Sequence, residues 1–263
     1  MAAGLAVPPG HPPEVPGRAL EVVIFPMRAG LTYERHSHRD HQLAWASSGI
    51  LSVETDHSSW VLPSTRALWI PAGVLHETSA SSNATMRSVY VRPARCPVEW
   101  RHPTPVAASP LLAEMIGHLE RPDGDPGRRS RGEQFFFDLL EPLSSATIEV
   151  RLPRDPRAAR VARALQADPG DGRDLRDWGR EVGASERTLG REFARTGTSF
   201  RQWRTLNRLR AALPTLAAGK PVSQVALEVG YETTSAFVAA FRRETGLTPR
   251  AYFAAHPADP LDT

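Results

Sequence analysis

The arrangement of apolar residues changes partway along this chain. From Ala19 to about Arg95 they cluster in short runs: LEVVIFPM, HQLAWASSG, GILSVETDHSSWVLP, RALWIPAG and MRSVYVRP. These runs carry β-branched and aromatic residues between turn signals. Such spacing predicts closely set antiparallel strands forming a small barrel or sandwich. After Pro110 the pattern becomes helical. PLLAEMIGHLE and EQFFFDLLEPL read as amphipathic helices, with RPDGDPGRRSRG as a flexible loop between them. DPRAARVARALQADPG reads as the helix that opens the C-terminal half.

That half contains one pattern written twice. LRDWGREVGASERTLGREFARTG runs from Leu175 to Gly197, and VSQVALEVGYETTSAFVAAFRRETG from Val222 to Gly246. The offset is 47 residues at Gly183 and Gly230, 48 at Leu189/Phe237 and Phe193/Phe241, and 49 at the closing Thr-Gly. Each copy predicts a short helix, a glycine turn and a second helix, the helix-turn-helix layout. In the first copy Leu175, Trp178 and Val182 form an apolar stripe. Gly183 suits a left-handed helix end, Ser185 an N-cap, and Glu186 the helix dipole. Leu189 and Phe193 then face inward, leaving Arg187, Thr188, Gly190 and Arg191 outward. In the second copy Val225, Ala226 and Val229 face inward, and Thr233 or Thr234 caps. Its outer face is Thr234, Ser235, Val238 and Ala239, with Arg242 and Arg243 beyond. Arginine can pair with guanine through two hydrogen bonds, whereas the second face suits methyl and phosphate contacts.

Charge separates the two halves. The whole chain carries a net +3, yet residues 153–253 hold 18 Lys and Arg against 11 Asp and Glu, and residues 1–150 hold 13 against 16. A basic segment beside an acidic one directs nucleic acid to one side. The single cysteine, Cys96, excludes an internal disulfide and suits a reducing cytoplasm. Residues 1–17 are rich in proline and alanine, and read as a disordered tail rather than a signal peptide or membrane anchor. No apolar run approaches the length that spans a bilayer.

The stretch from about Asp155 to Phe253 resembles the DNA-binding domain of the AraC/XylS family of bacterial transcription regulators. The closing run VGYETTSAFVAAFRRETGLTPRAYF, with Gly230, Phe237, Phe241, Arg242, Gly246, Pro249 and Tyr252, carries the most specific part of the likeness. The resemblance places Arg187 and Arg191 where the family's first recognition helix touches bases, and the outward faces add Ser185, Thr188, Thr234, Ser235, Arg242 and Arg243 as candidate DNA contacts. Gly190 and Ala239 depart from longer polar residues found there in the family. Pro214, inside the linking helix, is expected to kink it or end it early.

The strand region holds a second spacing. Gly30, His36, His38, Gln42 and Gly49 follow the first motif of the cupin barrel, with Gln in place of Glu, and PAGVLH at residues 71–76 follows the core of the second. Residues 19–95 therefore resemble a cupin. In such a barrel His36, His38, Gln42 and His76 would converge, as lining for a small effector or as ligands to Zn, Fe, Mn or Ni. His41 is a nearby competitor, aimed by strand alternation to the face opposite Gln42.

The expected fold is α+β: an N-terminal cupin-like antiparallel β-barrel followed by an all-α double helix-turn-helix domain. The expected divisions are a tail at 1–17, a sensor barrel at 18–100, a helical linker or dimerisation segment at 105–150, the DNA-binding domain at 153–253 and a tail at 254–263. This layout implies a cytoplasmic regulator, not an enzyme, that binds operator DNA in response to a small effector or metal. RNA polymerase and a second copy of the chain are further partners it implies, with no membrane. The alternative is a metal-dependent cupin enzyme fused to a DNA-binding domain.

Overall fold

Each strand run expected from the sequence forms, and five segments with weaker apolar signals join them. The computed structural model describes residues 5–6, 15–56, 58–121, 125–143 and 148–253. Its strands are β1 (Leu5–Ala6), β2 (Leu20–Met27), β3 (Thr32–His36), β4 (His41–Ser48), β5 (Ile50–Thr55), β6 (Ser58–Pro63), β7 (Arg66–Ile70), β8 (His76–Ala80), β9 (Ala84–Val91), β10 (Thr104–Ala107) and β11 (Val150–Arg151). Its helices are α1 (Pro110–Glu120), α2 (Pro126–Asp138), α3 (Pro156–Ala167), α4 (Leu175–Val182), α5 (Glu186–Ala194), α6 (Phe200–Ala217), α7 (Val222–Glu228), α8 (Thr234–Thr245) and α9 (Pro249–Phe253). The strands make two sheets, ordered β1-β3-β8-β5-β6-β11 and β10-β7-β4-β9-β2. The Phe25–Tyr33 and His38–Tyr90 ring contacts join the sheets, at 5.9 and 5.0 Å. Within the segment read as a disordered tail, Leu5 and Ala6 pair in parallel with Thr32 and Tyr33. The rest of that tail up to residue 14, and the tail at 254–263, lie outside the described residues.

The chain folds into two compact units, Met1–Val53 with Leu62–Ser144 and Phe253–Thr263, and Glu54–Val61 with Ser145–Tyr252. In the first, both faces of the central strand β4 are buried, which is why HQLAWASS reads as one apolar run. On one face Leu43, Trp45, Trp69, Val89 and Val91 pack against Leu112, Ile116 and Leu119 of α1 and Phe136 of α2. The two helices that the sequence suggested as a separate linker are thus part of the first unit. Their apolar stripes have a sheet to cover.

Most of the loop expected between those helices is helical. Asp125 accepts from Gly127 N at 2.9 Å, and Pro126 occupies the first turn, so α2 starts well before Glu133. The reason the sequence misled is a buried charge. Arg129, only 4% exposed, pairs with Glu133 at 3.0 Å. Its guanidinium also donates to the carbonyls of Leu119 and Leu20, while Glu133 accepts from Ala19 N at 2.9 Å. One ion pair therefore ties α2 to α1 and to the edge strand β2.

In the second unit α3–α8 pack around α6. The hairpin segment Glu54–Val61 belongs here as well. Ser58 donates to Glu149 at 2.6 Å, Arg210 Nη1 to Ser59 Oγ at 2.9 Å, and Trp203 Nε1 to the Arg151 carbonyl at 2.7 Å. Pro214 does not end α6 early. The helix runs one further turn, and the Pro214 carbonyl accepts from Ala218 N at 3.1 Å.

Removing half of a buried pair leaves an uncompensated charge. Arg129→Met should destabilise the first unit by about 3–5 kcal/mol in denaturant melts. Arg129→Met combined with Glu133→Leu should cost less than the sum of the single changes. Additive losses would show that the two side chains are not coupled.

Candidate functional site

Two constellations carry chemistry: the paired helix-turn-helix units and a histidine trio in the barrel. In the first helix-turn-helix, Asp174 caps α4 by accepting from Arg176 N and Asp177 N, both at 2.9 Å. Gly183 ends that helix in the left-handed conformation, with φ 69°. Ser185 caps α5 by accepting from Thr188 N at 3.1 Å, as the sequence suggested. That bond, and a 2.9 Å contact with the Thr188 hydroxyl, hold Ser185 to the helix start. Leu189 and Phe193 are fully buried, while Arg187 and Arg191 are exposed and Thr188 is half-buried. Arg191 also lies 3.4 Å from the buried Glu192, which pairs with Arg195 at 2.8 Å.

The sequence reading missed Gly179. A Cβ there would sit 2.5 Å from the carbonyl oxygen of Ala184, so the tight approach of turn to helix needs glycine. Gly190 is different. Its nearest neighbour would be Leu175 Cδ1 at 3.7 Å, and nothing in the fold requires a glycine there.

The second unit repeats the geometry. Gly230 takes φ 85° at its turn, and Thr233, rather than Thr234, caps α8 by accepting from Ala236 N at 3.2 Å. Phe237, Ala240 and Phe241 are buried. Thr234, Ser235, Val238, Ala239, Arg242 and Arg243 line one open concave surface. Arg243 pairs with Glu244 at 2.9 Å.

The residue that relates the units to each other is one the sequence did not mark. Arg208, on α6, donates from Nε to Pro169 O at 3.0 Å, from Nη1 to Gly230 O at 2.8 Å and from Nη2 to Asp171 O at 3.3 Å. Its guanidinium also lies 5.7 Å from the centre of the Tyr231 ring. One side chain thus holds the loop before α4 and the turn before α8. A Cβ on Gly230 would meet that guanidinium at 2.8 Å. Nearby, Asn207 Nδ2 donates to Leu165 O at 2.7 Å, fixing α6 to α3.

In the barrel, His36, His38 and His76 come together, with one ligand atom from each within 4.8 Å of the others. His36 and His76 are directly paired across β3 and β8. His36 Nδ1 lies 2.6 Å from Glu34 O, and His76 Nδ1 lies 3.0 Å from Val74 O. A carbonyl can only accept, so each Nδ1 carries a proton, and in the neutral ring Nε2 then holds the lone pair. His76 Nε2 is buried without a hydrogen-bond partner among the described residues. Burial pushes the His76 imidazole down to about 4, which keeps it neutral. Gln42 is buried on β4, where its Nε2 donates to Ser88 Oγ at 2.8 Å and its Oε1 has no hydrogen-bond partner among the described residues. Gln42 faces Tyr90 across β4 and β9, so both point to the same side, where Tyr90 meets His38. His41 is apart from the trio, as alternation predicted. It stacks on Trp69 at 5.2 Å and accepts from Ala72 N at 3.0 Å.

The trio fits a divalent metal in its donors. Imidazole nitrogens are donors that Zn, Fe, Mn or Ni accepts, and His76 offers a neutral ring whose Nδ1 is already held by a backbone carbonyl. Nitrogens around such an ion sit about 3–3.5 Å apart, so a modest closing of the trio would be required.

Comparison with known proteins adds the following. Residues 19–165 match the profile of the AraC-like ligand binding domain, and residues 178–255 that of a helix-turn-helix domain. The HTH-type transcriptional regulator NimR of Escherichia coli (strain K12) is 31% identical over 240 residues, 88% of this chain and 87% of that protein. The HTH-type transcriptional regulator RipA of Corynebacterium diphtheriae is 38% identical over 229 residues, 76% of this chain and 62% of its own length. Among solved structures, ToxT from Vibrio cholerae aligns over 90% of this chain and 98% of its own, at 12% identity and a TM-score of 0.39.

Lysine carries a point charge on a single nitrogen and cannot reproduce a three-carbonyl fork. Arg208→Lys should destabilise the second unit by about 1.5–3 kcal/mol, the worth of hydrogen bonds to a charged group. A melting transition unchanged from wild type would mean that these three bonds hold nothing in place.

Proposed function

This chain belongs to the AraC family of helix-turn-helix transcriptional regulators, with an AraC-like ligand-binding domain ahead of its DNA-binding domain, and on that premise we propose how its residues divide the work. α5 and α8 each enter a major groove. The Arg208 fork keeps them at a fixed spacing, so one subunit covers two groove segments about one helical turn, roughly 10 bp, apart. The observation that carries this reading is the matched pair of capped, outward-facing helices joined by one staple. Arg187 and Arg191 read bases on α5, with Ser185 and Thr188 at its start. Thr234 and Ser235 face the groove on α8, and Arg242 and Arg243 lie against phosphates.

The barrel is the sensing part. His36, His38, Gln42 and His76 line its site for a small effector. A divalent metal, if bound, would be held by His36, His38 and His76, with Gln42 as an oxygen donor beside them, and would supply a Lewis-acidic centre for an anionic or oxygen-bearing effector. The chain itself contributes the buried, neutral His76 imidazole and Nδ1 atoms of His36 and His76 that are held by backbone carbonyls. A catalytic role has little to work with. Glu77, the acidic neighbour of His76, is half-buried on the opposite face of β8, where burial alternates. We therefore read the protein as a cytoplasmic regulator rather than an enzyme, acting as a homodimer or alone, with RNA polymerase as the downstream partner.

Two measurements test this reading. Arg191→Ala should cost roughly 1–3 kcal/mol on the selected DNA site and relax preference at one base pair. Unchanged affinity and preference would remove Arg191 from base readout. Separately, protein exposed to Zn²⁺ and desalted should retain about one equivalent by elemental analysis, with a raised melting temperature, and His76→Ala should retain none. Wild-type protein that retains no Zn²⁺, Fe²⁺, Mn²⁺ or Ni²⁺ would leave the trio as effector lining only.

A further inference from the structure

We infer that α8 recognises thymine methyl groups, so that the half of the operator it contacts contains A·T pairs set by Val238 and Ala239. This deepens the reading of α8 as a recognition helix and rests on it. The outer stripe of α8 follows i, i+1, i+4, i+5, i+8: Thr234, Ser235, Val238, Ala239 and Arg242. The back of the helix is fixed by the buried Phe237, Ala240 and Phe241, so no rotation can present a different face. The centre of the exposed stripe is therefore Val238 and Ala239, and neither side chain has a polar atom. In a major groove, hydrogen-bonding edges surround a single apolar feature, the C5 methyl of thymine.

The polar residues of the same stripe do not supply strict readout. The Thr233 hydroxyl is engaged in the cap, accepting from Ala236 N at 3.2 Å. The hydroxyls of Thr234 and Ser235 are short, and can donate to or accept from either edge. Arg242 lies seven residues beyond Ser235, about 10 Å along the axis, while base contacts come from the N-terminal turns of a recognition helix. Arg243 lies one residue further still along the helix, beside Glu244 at 2.9 Å. On α5, by contrast, Arg187 and Arg191 occupy the first two turns and are exposed. One subunit thus carries two different readers: a guanidinium face for guanine edges and an aliphatic face for methyls.

The experiment uses the full-length chain. A random duplex library is enriched for bound sequences, and the segment read by α5 is located as the one whose preference Arg191→Ala relaxes. Thymines in the segment one turn away are then replaced singly by deoxyuridine, which lacks only the methyl. Affinity should fall about fourfold at one or more positions, the loss expected for one unburied methyl-sized group. Replacing the same T·A pair by 5-methylcytosine·guanine should retain more affinity than unmethylated cytosine·guanine. Val238→Ala, at a half-buried surface position, should bind the thymine and deoxyuridine duplexes more nearly alike. Enrichment of a site in which every deoxyuridine is tolerated overturns the methyl assignment and leaves the regulator intact. A library that yields no preferred sequence overturns the reading of both recognition helices.

Discussion

The arrangement of the DNA-binding unit depends on a single cation. Arg208 spans the loop before the first helix-turn-helix and the turn inside the second, and it does so by donating to three backbone carbonyls. No side-chain substitution in those loops can remove the acceptors. Guanidinium is planar and stays charged even where burial lowers its proton affinity, as burial does here. The constraint then extends outward. Gly230 needs glycine because its φ of 85° is left-handed and a Cβ there would meet the Gly170 backbone at 2.9 Å as well as the guanidinium. Tyr231 packs its ring near the same charge and edge-on against Phe237, 5.4 Å away. The start of α8 is thereby tied to the middle of α6.

The barrel follows the opposite strategy. Its chemistry is carried by groups left partly unsatisfied. Among the described residues His76 Nε2 and Gln42 Oε1 are buried acceptors without a hydrogen-bond partner, an arrangement that costs stability until a donor or metal meets them. The Nδ1 atoms of His36 and His76 are committed to carbonyls, so the two nitrogens of each ring cannot exchange roles. A sensor benefits from this arrangement because a ligand that satisfies these atoms binds the folded barrel and stabilises it by an amount that grows with the logarithm of ligand concentration.

How much of this was legible depended on the physical signal. The helix-turn-helix pair could be read because caps, turn glycines and inward aromatics are all local features. Gly183, Ser185, Leu189 and Phe193 take the roles that their types imply. β4 and β9 were plain from their apolar content. TYERH and HETSA were not, because β3 and β8 are half-polar strands that exist to present histidines. Their histidines were found instead through spacing. The start of α2 was hidden because Arg129 and Glu133 look like solvated loop charges, yet they are buried against each other. Arg208 left no trace in the pattern, since its partners are carbonyls that every sequence possesses. Gly179 was hidden for a similar reason, its constraint being a backbone atom five residues on.

The second unit is discontinuous in sequence. It takes Glu54–Val61 from the midst of the strands that otherwise belong to the first. Arg210 is largely buried there, with Ser59 and Glu54 as its recorded partners. In this chain a single crossover anywhere between the barrel and α3 would carry α6 away without the hairpin that receives Arg210. The inherited half would then hold a guanidinium with no acceptor and a strand, β11, with no neighbour. Grafting this second unit onto another sensor would have to move two segments at once, Glu54–Val61 and the chain from Ser145 onward.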